Sequence, residues 1–398
     1  MTGPEAREQE AAQGPLIFLI AGEPSGDLLG ARLMAALREE TGGRVRFAGV
    51  GGEEMTGEGL QSLFPIHDLA VMGFLEVLPH LRVILRRLRE TVAAVKRLRP
   101  DAVVTIDSPS FTLRVARQLA GEGIPLIHYV APQVWAWKAW RAKQVAGYLD
   151  HLLALLPFEP PYFQKHGLPT HFVGHPAVEG AAAAQSGDAP GAPPTLAVLP
   201  GSRKGEVTKL LPVFAEVVRN LAARHPDLRV VIPTVETVEE MVRSQVQDWP
   251  LPVEVVRGAD AKAKAFREAT AALAASGTVA LELGVTGVPA VIAYRFAGFV
   301  GLMPITWTGT RFASLVNIIA GREIQPEFLQ RRCRTEHILP AVERLLTDPA
   351  ARAAQREGYR GVVEALTPPE GNPSRAAARR VLESLKGKNR RTEGQPWD

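Results

Sequence analysis

The chain has 398 residues, 46% of them apolar and 22% charged, with 36 glycines and 32 prolines. That length suits two or three domains, and the composition excludes a collagen-like, coiled-coil or mostly disordered chain. The one cysteine, Cys333, excludes an intrachain disulfide and fits a reducing compartment, and a net charge of +4 permits an anionic surface as partner without implying nucleic acid.

Residues 1–14 are polar and acidic, lack the pattern of a secretory signal, and read as a short flexible tail. Apolar runs then alternate with helical patterns. Residues 16–21 (LIFLIA) are followed by a glycine-rich turn and a helix over 27–38, and further strands are predicted at 102–106, 125–130 and 151–156. Continuous apolar strands separated by helices imply a parallel sheet covered on both faces. Residues 180–194 (GAAAAQSGDAPGAPP) read as a linker. The pattern then restarts at 195–199, 228–232, 253–256, 271–274 and 290–293, with a helix from about Glu206. The expected fold is α/β, two doubly wound Rossmann-like domains (15–179 and 195–365) facing a cleft. A closing helix at 373–385, able to pack on either domain, precedes a polar tail. No apolar run reaches the roughly 18 residues of a membrane span, and the nearest, 296–305, is short and carries a proline.

Residues 21–30 (AGEPSGDLLG) follow the first strand. The small residues Gly22, Ser25 and Gly26 allow close backbone approach, the next helix start presents amides to a ligand, and Asp27 is placed to cap that helix. The spacing is not GxGxxG and the expected downstream acidic residue is missing, so a dinucleotide site is disfavoured. Residues 71–100 begin VMGFLEVLPHL and continue as a basic amphipathic helix. Leu81, Ile84, Leu85, Leu88, Val92, Val95 and Leu98 fall on one stripe, with Arg82, Arg86 and Arg87 among the other positions. That suits an anionic membrane surface, with Val71, Met72, Phe74, Leu75 and Leu78 at the acyl chains, and equally a packed helix with a solvated face. In PDAVVTIDSPSF (100–111), Asp107 falls just past a strand end, where a carboxylate beside a sugar hydroxyl can act as a general base or simply cap the next helix. Asp101 lies at the other end of the strand and reads as structural. HYVAPQVWAWKAW (128–140) holds three of the six tryptophans, suited to stacking on a sugar or to a core corner; His128 is open between ligand and core.

LPGSRKGE (199–206) heads the second domain. Gly201 and Ser202 allow close approach, while Arg203 and Lys204 bring positive charge to a helix start, though not in Walker A spacing. ASGTVALE (275–282) offers Ser276, Gly277 and Thr278 to a phosphate, with Glu282 four residues on for ribose hydroxyls. Together the two loops point to a nucleoside diphosphate. Neither carries a carboxylate cluster suited to a metal, so no metal or other cofactor is expected.

In order, AGEPSGDLLG, VMGFLEVLP, IDSP, HYVAPQVWAWK, LLPFEPPYF, FVGHP, LPGSR, ASGTVALE and VNIIAGREIQPEFLQ resemble the lipid-A-disaccharide synthases, over most of the chain from about residue 15 to beyond 330. The resemblance implies a GT-B glycosyltransferase joining UDP-2,3-diacylglucosamine to 2,3-diacylglucosamine 1-phosphate without a metal, on the cytoplasmic side of the inner membrane as a peripheral protein, with a homodimer left open. It places Gly201, Ser202, Arg203, Ser276, Gly277, Thr278, Glu282 and Asn317 at UDP, and Ser25, Gly26, Asp27, His128, Gln133 and Trp135 on the acceptor side. The family pattern has an aspartate, a favoured base, where this chain has Ser110. Asp107 is therefore the expected base, and an altered or inactive homologue that only binds nucleotide sugars stays open. So does another enzyme on the same scaffold, such as a UDP-sugar epimerase.

Overall fold

The computed structural model describes residues 14–69, 77–135, 140–183, 193–295 and 311–392. The chain forms two compact units, Met1–Pro176 with Thr367–Asp398, and Ala177–Leu366.

The first unit runs β1 (Leu16–Ala21), α1 (Pro24–Glu40), β2 (Arg46–Val50), α2 (Glu53–Gly57), α3 (Val77–Leu98), β3 (Ala102–Ile106), α4 (Thr112–Leu119), β4 (Leu126–Tyr129), α5 (Trp140–Ala146), β5 (His151–Ala154), α6 (Pro160–Gln164) and β6 (Thr170–Phe172). Its parallel sheet has the order β2-β1-β3-β4-β5-β6. Helices leave in opposite directions from β1 and β3, so the carboxyl ends of those strands form a topological switch point, where open α/β sheets bind ligands. The strands are apolar on both faces because both are covered. Phe18 and Ile20 enter one core with Val103, Leu126 and Leu152, while Ile17 and Leu19 enter the other with Val104, Ile127 and Leu153.

The second unit repeats the plan with β7 (Thr195–Leu199), α7 (Lys204–Ala222), β8 (Arg229–Thr234), α8 (Glu236–Val246), β9 (Val253–Arg257), α9 (Ala259–Glu268), β10 (Ala271–Ala275), α10 (Thr278–Val285), β11 (Ala290–Tyr294), α11 (Leu315–Ala320), β12 (Glu327–Leu329), α12 (Thr335–Thr347) and α13 (Pro349–Leu366). The sheet order is β12-β11-β10-β7-β8-β9, with its switch point between β7 and β10. The closing helix, α14 (Pro373–Thr392), returns to the first unit. Ala376, Ala377, Ala378 and Val381 complete the core under α1 and β3. Arg375 and Arg379 pair with Glu39 and Glu40 at 3.1 Å.

The predicted strands and the two doubly wound units are present. Two helices start earlier than their apolar pattern suggests. Pro24 opens α1, where the ring's fixed φ suits the first turn and the missing N–H costs nothing, and α7 opens at Lys204. The tail at 1–13, most of the linker (184–192), the acyl-contact candidates Val71, Met72, Phe74 and Leu75, and the apolar run 296–305 fall outside the described residues, as does the side chain of Leu78. Among the described residues no helix is long and apolar enough to cross a membrane.

Candidate active site

At the first unit's switch point the loops after β1 and β3 touch. A Cβ on Gly22 would stand 2.5 Å from the Ser108 hydroxyl, so glycine is what lets the Ser108 side chain pack against the loop after β1. Asp107 and Ser108 both adopt left-handed φ, 47° and 43°, a conformation costing about 1–3 kcal/mol per non-glycine residue. The turn is held by its surroundings. The Asp107 N–H donates to the Tyr129 carbonyl at 2.9 Å, and the Thr112 hydroxyl lies 2.5 Å from the Asp107 carbonyl oxygen and 3.0 Å from that of Ser108. The Asp107 carboxyl is half-buried, and desolvation raises its pKa against one N–H from Ser108. A partly dehydrated carboxylate at a strained strand end is suited to accept a proton from a hydroxyl. Ser110 is exposed three residues on, and Ser25 is exposed at the start of α1. A third strained residue, Val130 (φ 83°), ends β4 at the same sheet edge.

Two acceptor-side expectations change. Asp27 does not cap its own helix; it sits inside α1, and its carboxylate accepts the N–H groups of Gly52, Glu54 and Met55 at 2.7, 3.0 and 3.1 Å, capping α2 instead. With those donors seated and the side chain buried, it ties the first turn of α1 to the start of α2. His128 lies in the core of β4, opposite Thr105, whose hydroxyl is 2.8 Å from Nδ1. Burial pushes its pKa down to about 3, so the ring is neutral and out of reach of a sugar. Trp135 is half-buried, edge-on to Phe158 at 5.3 Å, and its indole N–H points to Glu159 at 3.4 Å. Gln133 is exposed, and Gly26 is buried against the Ile106 carbonyl.

In the second unit, parallel pairing sets Leu199 beside Ala274, so the loops bearing Arg203 and Ser276 start side by side. Ser202, Arg203, Gly277 and Thr278 are exposed, at the starts of α7 and α10, where helix dipoles and unpaired amides favour an anion. At neither helix does the N-cap side chain bond an amide of the first turn. The Ser276 hydroxyl donates to the Ala313 carbonyl at 3.0 Å, which anchors this turn to the segment before α11. Glu282 is held by Lys262 at 2.5 Å, a partner on α9 that no sequence spacing signals.

Asn317 is a correction. It is buried and saturated: its amide donates to the Gln325 carbonyl and to Glu327 at 2.7 Å, and its oxygen accepts from Ile324 and Gln325 at 2.7 and 2.9 Å. Glu327 in turn accepts the Ala313 and Ser314 N–H groups at 2.8 and 2.9 Å. Asn317 thus fixes the segment that anchors Ser276, with no hydrogen-bonding capacity left for a nucleotide.

The basic helix α3 resolves into two faces. Leu88, Val92 and Val95 are in the core, with Ile84 and Leu85 packed against it, so the apolar stripe serves the fold. Arg87 is turned inward onto Asp68 and Glu90, at 2.6 Å each. Arg82 and Arg86 stay exposed beside the exposed Leu81. Among the described residues, no group of three or more His, Cys, Asp or Glu side chains is placed to hold a metal.

A lipid-A-disaccharide synthetase family model matches residues 17–381. The lipid-A-disaccharide synthase of Rhodospirillum centenum is 54% identical over 92% of this chain and 94% of its own length. That of Paramagnetospirillum magneticum is 50% identical over 94% and 99%. Among solved structures, UDP-GlcNAc 2-epimerase from Neisseria meningitidis bound to UDP-GlcNAc aligns with TM-score 0.64 at 11% identity, covering 94% of this chain and 100% of that one. A glycosyltransferase of kitacinnamycin aligns at 0.62 and 17%, covering 94% and 99%. At such identities these two likenesses speak for the two-unit α/β fold alone, whereas the sequence relatives and the family match settle membership: the chain belongs to the lipid-A-disaccharide synthetase family.

Proposed function

We propose that the chain joins UDP-2,3-diacylglucosamine to 2,3-diacylglucosamine 1-phosphate, forming the β-1′,6-linked disaccharide and releasing UDP. The observation that carries this reading is the pairing of Leu199 with Ala274, which starts the Arg203 and Ser276 loops together at the switch point of a family member's second unit. There the diphosphate would take the α10 amides, Ser276, Thr278 and the Arg203 guanidinium, with Gly201 and Ser202 close to the phosphates and Glu282 exchanging Lys262 for the ribose hydroxyls. The charge developing on departing UDP falls to the same dipole and guanidinium, with no cofactor.

The first unit takes the acceptor at the β1 and β3 loops. The acceptor 6-hydroxyl attacks the donor's anomeric carbon as the bond to the UDP oxygen breaks, inverting that centre, and Asp107 takes the hydroxyl proton. Its desolvated, proton-seeking carboxyl supports this role where Ser110 has no basic group. The exposed Arg82, Arg86 and Leu81 on α3 support a peripheral seat on an anionic membrane.

The test is an assay with purified protein, labelled acceptor and UDP-diacylglucosamine. A labelled disaccharide phosphate and stoichiometric UDP are expected. Conversion of the UDP-sugar to its epimer without acceptor would favour the epimerase alternative, and UDP binding without any product a non-catalytic homologue.

A further inference from the structure

Glu206 is the third residue of α7, a position from which a glutamate ordinarily reaches back to the N-cap amide. Here it reaches past the N-cap. One carboxylate oxygen accepts the Ser202 N–H at 3.2 Å, and the other takes Arg203 Nη1 and the Tyr294 hydroxyl, both at 3.1 Å. The carboxylate also lies against the backbone of Gly201, where a Cβ would stand 2.5 Å from Oε2, and Gly201 has φ +113°. An amide, a guanidinium and a glycine-shaped hollow are the components of an anion seat, and in this chain a carboxylate of its own fills it.

We propose that Glu206 is an internal stand-in for a donor phosphate, one that the nucleoside diphosphate must displace to bind and that reclaims the seat when UDP leaves. This rests on the donor site assigned above to Arg203 and Ser276. A phosphate oxygen on Ser202 N–H and Arg203 would meet the Glu206 carboxylate as a like charge, so the two compete for the same donors. Tyr294, reaching from the end of β11, holds the carboxylate in place, and burial together with the adjacent carboxylate pushes its phenol up to about 12, so it stays a hydrogen-bond donor throughout the working pH range. The empty seat is thereby kept neutral toward stray phosphate, and the product is held less firmly than the bare donors would hold it.

The experiment is calorimetric titration of the full chain with UDP, for the wild type, E206Q, Y294F and R203A, with a melting curve for each. Glu206→Gln keeps the shape and removes the charge. It is expected to tighten UDP about two- to fivefold, the range set by an exposed ion pair's coupling, with the gain shrinking at high salt. Tyr294→Phe, which leaves the helix start intact, is expected to tighten UDP in the same direction. If both variants melt like the wild type yet bind UDP equally or more weakly, Glu206 only caps the helix or orients Arg203, and the inference is overturned. R203A separates the two levels. If the wild type binds UDP, R203A weakens it and neither other variant tightens it, the stand-in alone fails; if the wild type binds no UDP, the donor site fails and takes the stand-in with it.

Discussion

Glu159 gives a stability prediction that can be worked through from the structure. It is 3% exposed, immediately before α6, and its carboxylate accepts the Leu156 N–H at 3.1 Å and faces the Trp135 indole N–H at 3.4 Å. Burial outweighs those donors and raises its pKa from 4.5 to about 7. Between those values the folded chain holds one proton more than the unfolded chain. Its stabilising contribution is therefore full below the unfolded value and is lost as the pH rises through about 7. That rise corresponds to roughly 3 kcal/mol. Glu159→Gln mimics the protonated form and removes this slope. Calorimetric melting of both proteins from pH 4.5 to 8 should show the wild type losing about 6–12 °C relative to the variant across the series, at about 2–4 °C per kcal/mol for units of this size. Parallel profiles, or a wild type that gains on the variant as pH rises, would refute the burial argument.

Asp107→Ala is expected to lower kcat by about 10²–10⁴-fold with UDP affinity unchanged, read by steady-state kinetics and titration; an unaltered rate removes Asp107 as base. Ser110→Asp is expected to give no gain in turnover, and a rise of about tenfold would move the base to position 110. Asn317→Ala should cost about 2–4 kcal/mol in denaturant unfolding, since it strands four buried partners, and a loss below about 1 kcal/mol would mean the network repacks. Reversing Arg82 and Arg86 to glutamate should reduce flotation with anionic liposomes at least about tenfold at low salt, while equal flotation would leave that face to water.

The long apolar strands and the two glycine-rich loops were legible because each is a local pattern: a continuous buried run, or small residues at a strand end. The edge strands β2, β6 and β12 were not. Two are only three residues long, and β2 (RFAGV) carries an arginine and a glycine that blur its period. Site chemistry divides the same way. Arg203, Ser276 and Asp107 stand at strand ends that sequence order alone locates. Asp27, His128 and Asn317 look the same in a string whether they face a ligand or a core, and only tertiary contacts assign them to α2, to Thr105 and to Glu327. Lys262 and Tyr294 reach their carboxylates across 20 and 88 residues, beyond any local spacing.

The route of α14 has a consequence for biosynthesis. Because Thr367–Asp398 belongs with Met1–Pro176, the second unit is an uninterrupted stretch nested inside the first. On the ribosome, the inner unit can close as soon as its last helix emerges, whereas the outer one waits with α1 uncovered until the final turns are translated. A premature stop after residue 366 would thus spare the later-encoded half and leave the earlier-encoded half exposing the surface that Ala377 and Val381 normally cover.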